Sequence, residues 1–161
     1  MFLNSDEKLG IKIQKMTIQD LEEVTRIDSN FPSAWTYSAF EQSLKIQNEC
    51  YILIQSRSKK IVGFFIGAPT DLEYNIYNFA IHPEHHRKGY GTFFLRRIIN
   101  NHFKKYHDYY LEVRKSNTPA IELYFKIGFK VVSIRKEFYN DPVEDAFLMK
   151  YSPILERLDL Q

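Results

Sequence analysis

Residues 78–95 read NFAIHPEHHRKGYGTFFL, and how this stretch folds decides the architecture around it. Its first four residues close an alternating apolar run, LEYNIYNFAI (72–81), which predicts a strand. Its end opens a pattern that puts Phe94, Leu95, Ile98, Ile99 and His102 on one helical face. Between strand and helix, Gly89 and Gly91 follow a run of cationic or protonatable side chains, His85, His86, Arg87 and Lys88. A strand that passes through a glycine turn into a helix gathers free backbone N–H groups at one point. The helix dipole adds partial positive charge there, so the turn suits a phosphate or pyrophosphate. The glycines permit close backbone approach, and Arg87 and Lys88 bring side-chain charge. The spacing is neither G-x-x-x-x-G-K-[ST] nor G-x-G-x-x-G, which argues against a P-loop and a Rossmann fingerprint.

Two other readings of the loop stand beside this one. G-x-G is common in ordinary turns. His82, His85 and His86 raise a metal site, but zinc needs three or four convergent ligands. No cysteine is nearby, Glu84 is the local carboxylate, and the charges of Arg87 and Lys88 oppose a cation. The expectation is therefore no metal.

Outward from the loop, the order of elements can be read. Ile11–Gln14 alternates as a first strand, and Thr17 with Asp20 makes a capping-box start for a helix carrying Ile18, Leu21, Val24 and Ile27. Phe31-Pro32 ends it, and a second helix begins near Thr36 with Phe40 and Leu44. YILIQ (51–55) and KIVGFFIG (60–67) flank a polar turn as a β-hairpin. After the glycine-loop helix come a strand, YYLEV (109–113), and a short helix with Asn117 as cap and Pro119 in its first turn. Gly128 stops that helix, and FKVVSI and AFLMKY are closing strands. Hairpins mixed with helical crossovers predict an α/β fold with a central mixed, mostly antiparallel sheet of about seven strands flanked by about four helices.

The chain has 161 residues and no repeat, low-complexity tract or Pro/Gly-rich linker, which suits one domain over 1–161 with a core at about 11–151. With 44% hydrophobic and 26% charged residues, the composition is that of a folded domain. A net charge of +2 gives no reason to expect a nucleic-acid partner. No apolar run reaches the ~18 residues of a membrane span, and MFLNSDEKLG lacks a secretory pattern. The sole cysteine, Cys50, fits a reducing compartment, so a cytoplasmic location is expected.

Several stretches carry a family likeness. NFAIHPEHHRKGYGTFFL (78–95) resembles the cofactor motif Q/R-x-x-G-x-G/A of the GNAT family of N-acetyltransferases, and LEVRKSNTPAIELYFKIGF (111–129) resembles the motif that follows it. FPSAWT (31–36), IRKEFYNDPVEDAFLMK (134–150) and Glu73, five residues before Asn78, agree with the branch that acetylates protein N-termini. One departure is plain: His86 stands where the motif has Gln or Arg. A neutral imidazole still donates one hydrogen bond, so a modest change in cofactor affinity is expected. The tail SPILERLDLQ (152–161) runs beyond the likeness and has no functional account.

The resemblance implies that acetyl-coenzyme A is the co-substrate, with its pyrophosphate on the N–H groups of Arg87, Lys88, Gly89, Tyr90, Gly91 and Thr92. It implies that backbone around Phe79, Ala80 and Ile81 pairs with the pantetheine arm as an added strand, and that Asn117 contacts that arm. Asn117 also reads as a plain helix cap. Glu112 matches the family's base and Tyr124 its acid, against the alternatives of a solvated strand face and a core tyrosine beside Ile121 and Phe125. Phe31, Trp35, Glu73 and Tyr139 match segments that flank the acceptor, and each also reads as packing or surface. The expected acceptor is a protein or peptide N-terminus of ribosomal-protein type, with no nucleic acid, no membrane, and a monomer or weak dimer. The alternatives are a small-molecule amine acceptor (polyamine, amino acid or drug), a non-catalytic acyl-coenzyme A-binding module and, more distantly, a nucleotide-binding protein.

Overall fold

The computed structural model describes residues 4–102 and 105–153. Of the tail, residues 154–161 lie outside the described residues. The described elements are β1 (Ser5–Asp6), β2 (Ile11–Lys15), α1 (Leu21–Asp28), α2 (Tyr37–Lys45), β3 (Glu49–Gln55), β4 (Ile61–Thr70), β5 (Glu73–Ile81), α3 (Tyr90–Asn101), β6 (Asp108–Arg114), α4 (Thr118–Ile127), β7 (Lys130–Asn140) and β8 (Val143–Tyr151). Eight strands hydrogen-bond in the order β1-β2-β3-β4-β5-β6-β8-β7, so the mixed α/β expectation holds with one strand more. The addition, β1, spans two residues against β2 and is too short to show alternation in sequence. The β5–β6 ladder is parallel, as a crossover through α3 requires, and pairs Glu73–Asn75 with Asp108–Tyr110.

The chain divides into two compact units. One holds the residues up to Gly67 together with Asn78–Asn101, and the other holds Ala68–Tyr77 together with the chain from His102 on.

In the first unit, Thr17 opens the chain's first helical turn by donating from its N–H (2.7 Å) and its hydroxyl (3.0 Å) to the Asp20 carboxylate. This capping box starts a 3-10 turn, Ile18–Asp20, that runs into α1. Thr36 caps α2 by accepting from the Ala39 N–H. Leu21, Val24 and Ile27 of α1, Phe40 of α2, and Ile52, Phe64 and Ile66 of the strands form one buried core, against which Phe31 and Trp35 pack. Ile18, expected on the buried stripe, is half exposed because the 3-10 turn rotates it off the face of α1. Gly63 of β4 marks a close approach: a Cβ there would stand 2.9 Å from the Ala80 carbonyl and 2.6 Å from the Ile81 side chain. Cys50 on β3 is buried with its sulfur 3.4 Å from the Asn48 carbonyl, and burial, then the neighbouring Glu49, pushes its thiol up to about 11.

In the second unit, β8 pairs along β6 from Tyr109↔Tyr151 to Arg114↔Ala146, and β7 pairs with β8 as the outer strand. Alternation buries Tyr109, Leu111 and Val113 of β6 and leaves Glu112 half-buried on the other face. In α4, Ile121, Tyr124 and Ile127 form the buried stripe, while Phe125 is exposed. Tyr74, Tyr106, Tyr109 and His102 make a buried aromatic group in which the Tyr109 hydroxyl bonds His102 at 3.1 Å.

Candidate active site

The glycine loop folds as a backbone cradle within the first unit. Arg87 and Gly89 both take positive φ, 61° and 80°, with Lys88 between them. Alternating left-handed residues turn successive N–H groups toward one concavity, the geometry of an anion-binding nest. Among the described residues no backbone carbonyl accepts from the N–H groups of Arg87, Lys88, Gly89, Tyr90, Gly91 or Thr92, and the first such bond of α3 is Phe93 N–H to Gly89. Those six donors include the N-terminal turn of a 12-residue helix. A Cβ added at Gly89 would meet nothing within 4 Å, so the space beside that residue is open.

Charge agrees with backbone. The Tyr90 ring is buried and stacks on His85 at 5.9 Å, with the Lys88 ammonium 6.0 Å from its centroid. Burial, then Lys88, His82 and Lys60, holds the His85 imidazole below its ordinary range. The cations around the loop thus disfavour protonation of His85, with Glu84 opposing them. Among the described residues no three His, Cys, Asp or Glu side chains gather as a metal would require.

His86 does not face a ligand set. Its Nε2 lies 2.6 Å from the Ile81 carbonyl, so the tautomer present carries the proton there, and its ring stacks on Phe31 at 6.2 Å and 19°. Of the three strand residues named from the resemblance, Phe79 is half-buried with its ring against Phe65 (6.3 Å) and Phe94 (5.7 Å), and Ala80 and Ile81 are buried. The side chains of Ala80 and Ile81 belong to the core, which leaves backbone as what these two can offer a ligand.

The segment between α1 and α2 hangs on a residue that sequence reading passed over. Asp28 is buried, and its Oδ2 accepts from the Trp35 N–H (2.8 Å) and the Asn78 side chain (3.0 Å). Burial raises its pKa against the opposing effect of those two hydrogen bonds. A signal was present: Asp28 follows Leu21 by seven positions, on the apolar stripe of α1. Phe31 and Trp35 are partly buried and pack on the core.

The second unit gathers the ionisable residues. Tyr124 is buried, and burial, then Tyr139, raises its phenol well above the ordinary 10. Among the described residues its hydroxyl has no hydrogen-bond partner; the ring rests on Phe129 at 5.8 Å. Tyr139 is pushed up to about 12 by burial and then by the Glu112 charge, with Arg114 opposing. Tyr139 is therefore the group that feels both Glu112 and Tyr124. Glu112 pairs with Arg135 at 3.3 Å.

Arg114 fixes this cluster from below. It is buried, bonds the carbonyls of Pro142 (2.9 Å) and Asp141 (3.1 Å) and Glu144 (3.3 Å), and lies 4.3 Å from the Tyr139 ring centroid. Glu144 also accepts from the Ser116 hydroxyl at 2.8 Å, which is the first cause of its lowered pKa. Asn117 does cap α4, accepting from the Ala120 N–H at 3.4 Å, and its side-chain amide stays exposed. Glu73 stands apart. It is exposed at the start of β5, beside Asp108 in the ladder, and makes no hydrogen bond or ion pair with the other candidates among the described residues.

The sequence model of the Acetyltransferase (GNAT) family matches residues 17–129. The chain belongs to that family. GNAT members draw their acetyl group from acetyl-coenzyme A, and a nest of backbone donors with cations around it fits its pyrophosphate. An alanine N-acetyltransferase of ribosomal protein bS18, so described provisionally, from Bacillus subtilis is 33% identical over 88% of this chain and 95% of its own. An uncharacterized Mycobacterium leprae protein is 28% identical over 87% of this chain, which spans only 40% of that relative's length. The crystal structure of the Escherichia coli ribosomal-protein-S18-alanine N-acetyltransferase superposes with a TM-score of 0.78 at 28% identity, covering 88% of this chain and 93% of its own. Among the described residues no helix is long and apolar enough to cross a membrane.

Proposed function

We propose that this GNAT enzyme is a single N-acetyltransferase domain that acetylates the α-amine of a protein N-terminus of ribosomal-protein type. The observation that carries the chemistry is Tyr124: a buried phenol held protonated, its hydroxyl unclaimed, coupled through Tyr139 to the Glu112 carboxylate. The named activities of the relatives support the acceptor class.

Acetyl-coenzyme A supplies the activated thioester. The N–H groups of residues 87–92 hold its pyrophosphate, the backbone of Phe79–Ile81 pairs with the pantetheine arm, and the Asn117 amide donates to that arm. An α-amine, with a pKa of about 7.7–8.0, must shed a proton before it attacks. Glu112 accepts that proton, directly or through one water, once Arg135 is displaced from it. The amine nitrogen bonds to the acetyl carbon, the carbon–sulfur bond breaks, and Tyr124 donates its O–H to the departing sulfur. The surplus proton still on the nitrogen is shed as the amide forms and returns through water to the Tyr124 oxygen, so the buried phenol is restored and tyrosinate does not accumulate. Phe31, Trp35 and Tyr139 flank the incoming N-terminus, and Glu73 attracts its cationic amine from the surface. A cytoplasmic enzyme acting as a monomer or weak dimer completes the reading.

Initial rates with Ala- and Met-initiated peptides, set against spermidine and free amino acids, test the acceptor. Faster acetylation of any small amine than of every peptide would overturn it, and release of no free thiol with any amine would overturn the enzyme reading itself.

A further inference from the structure

The segment between α1 and α2 is stapled at two points to the strand and loop of the first unit. At one end Asp28 ties the Trp35 N–H to the Asn78 side chain, and Asn78 begins the stretch carrying Phe79–Ile81. At the other, the Phe31 ring lies against the His86 ring at 6.2 Å and 19°, an offset stack. The His86 ring is exposed, and its Nε2–H donates to the Ile81 carbonyl at 2.6 Å, the bond that aims its face at Phe31. It directly precedes Arg87, the first left-handed residue of the nest. Whatever orders the nest therefore orders the surface on which Phe31 rests.

We propose that His86 is a positioning residue that couples the two substrates: filling the nest fixes His86, His86 fixes Phe31, and the peptide then binds more tightly. The inference rests on the functional reading above, in which the nest takes acetyl-coenzyme A and Phe31 meets the peptide. Glutamine at this position would keep a donor for the Ile81 carbonyl and lose the ring that Phe31 needs. Relative to glutamine, His86 thus adds a stacking face for Phe31. Coupling of this kind is reciprocal, so the peptide tightens coenzyme A by the same factor.

Calorimetric titration of an Ala-initiated peptide, with and without saturating coenzyme A, measures the coupling in wild type, His86→Gln, Phe31→Leu and the double variant. In wild type, coenzyme A should tighten the peptide about five- to tenfold, within the usual range of coupled sites. The factor should fall to about one in either single variant and drop no further in the double, while coenzyme A alone binds His86→Gln within about twofold of wild type. An undiminished factor in His86→Gln, or independent losses that add in the double variant, overturns the proposal. If wild type binds coenzyme A and peptide with a factor of one, the coupling fails while the function stands. If wild type binds neither, the functional reading fails and takes the coupling with it. Phe31→Leu keeps the core packing of an apolar side chain, so a collapsed fold in one variant leaves the other to decide.

Discussion

The loop at 87–92 and the cluster around Tyr124 handle their tasks with different parts of the chain. The loop is built from backbone: two left-handed residues, six N–H groups that no carbonyl among the described residues claims, and nearby cations. The Tyr124 cluster is built from side chains whose protonation is set by burial and by one another. A backbone site tolerates side-chain change, which is why His86 can replace the motif's Gln or Arg without dismantling the nest. A side-chain site has no such tolerance.

Substitutions sharpen that contrast, and the largest effect belongs to the side-chain cluster. Tyr124→Phe should lower kcat about a hundredfold or more while leaving the affinity for acetyl-coenzyme A within about twofold. Because its phenol is raised above 10, wild-type kcat should show no falling limb below pH 10 from this group. Rapid-mix kinetics over pH 6–10 decide both points, and an unchanged kcat in Tyr124→Phe would remove it as the acid.

Gly89→Ala comes next and probes the backbone. The φ of 80° costs a non-glycine residue roughly 1–2 kcal/mol, although the new methyl touches no protein atom within 4 Å. Relaxation of that strain should turn the N–H groups away and weaken acetyl-coenzyme A about tenfold, with kcat at saturation nearly unchanged. A loss in kcat with intact affinity would mean that the nest does not hold the cofactor.

Asp28→Ala leaves the Trp35 N–H and the Asn78 amide without an acceptor, at a cost of about 1–3 kcal/mol in denaturant unfolding. Asp28→Asn should cost less, since an amide oxygen can accept both bonds. Asp28 titrates higher in the fold than the ~3.9 of an unfolded chain, so the folded state holds this proton more tightly. Its contribution to stability is therefore greatest in acid and is lost as pH rises from about 4 through the folded value. Wild type should lose stability relative to Asp28→Asn across that window, and a relative gain would contradict the assignment. The smallest effect is that of Lys88→Ala, an exposed charge at the rim: about a two- to threefold weaker affinity for acetyl-coenzyme A, fading as salt screens it.

Much of this could be read from sequence, because it is local. The strand–loop–helix passage, the Thr17–Asp20 box, the Thr36 and Asn117 caps and the stop at Gly128 each depend on neighbours a few residues apart. The unread parts are long-range. Asp28 meets Asn78 across 50 positions, and Arg114 meets Asp141 and Glu144 across 27 and 30. Arg114 also breaks the alternation of β6, where Val113 and Arg114 are both buried. Local periodicity cannot anticipate an arginine whose Nη groups are bonded by a distant turn. The stack of Phe31 on His86 joins two segments that each look like loop, and neither carries a pattern that names the other.

Cys50 has a practical consequence for anyone measuring this enzyme. With its thiol pushed up to about 11, only about one molecule in a thousand carries a thiolate at pH 8, and the sulfur is buried as well. The protein should therefore be silent toward disulfide and maleimide reagents while it remains folded. A thiol-reactive dye present during turnover would then report the coenzyme A released and little else, and the same dye would flare when the protein unfolds. One reagent could thus follow catalysis and stability in a single cuvette.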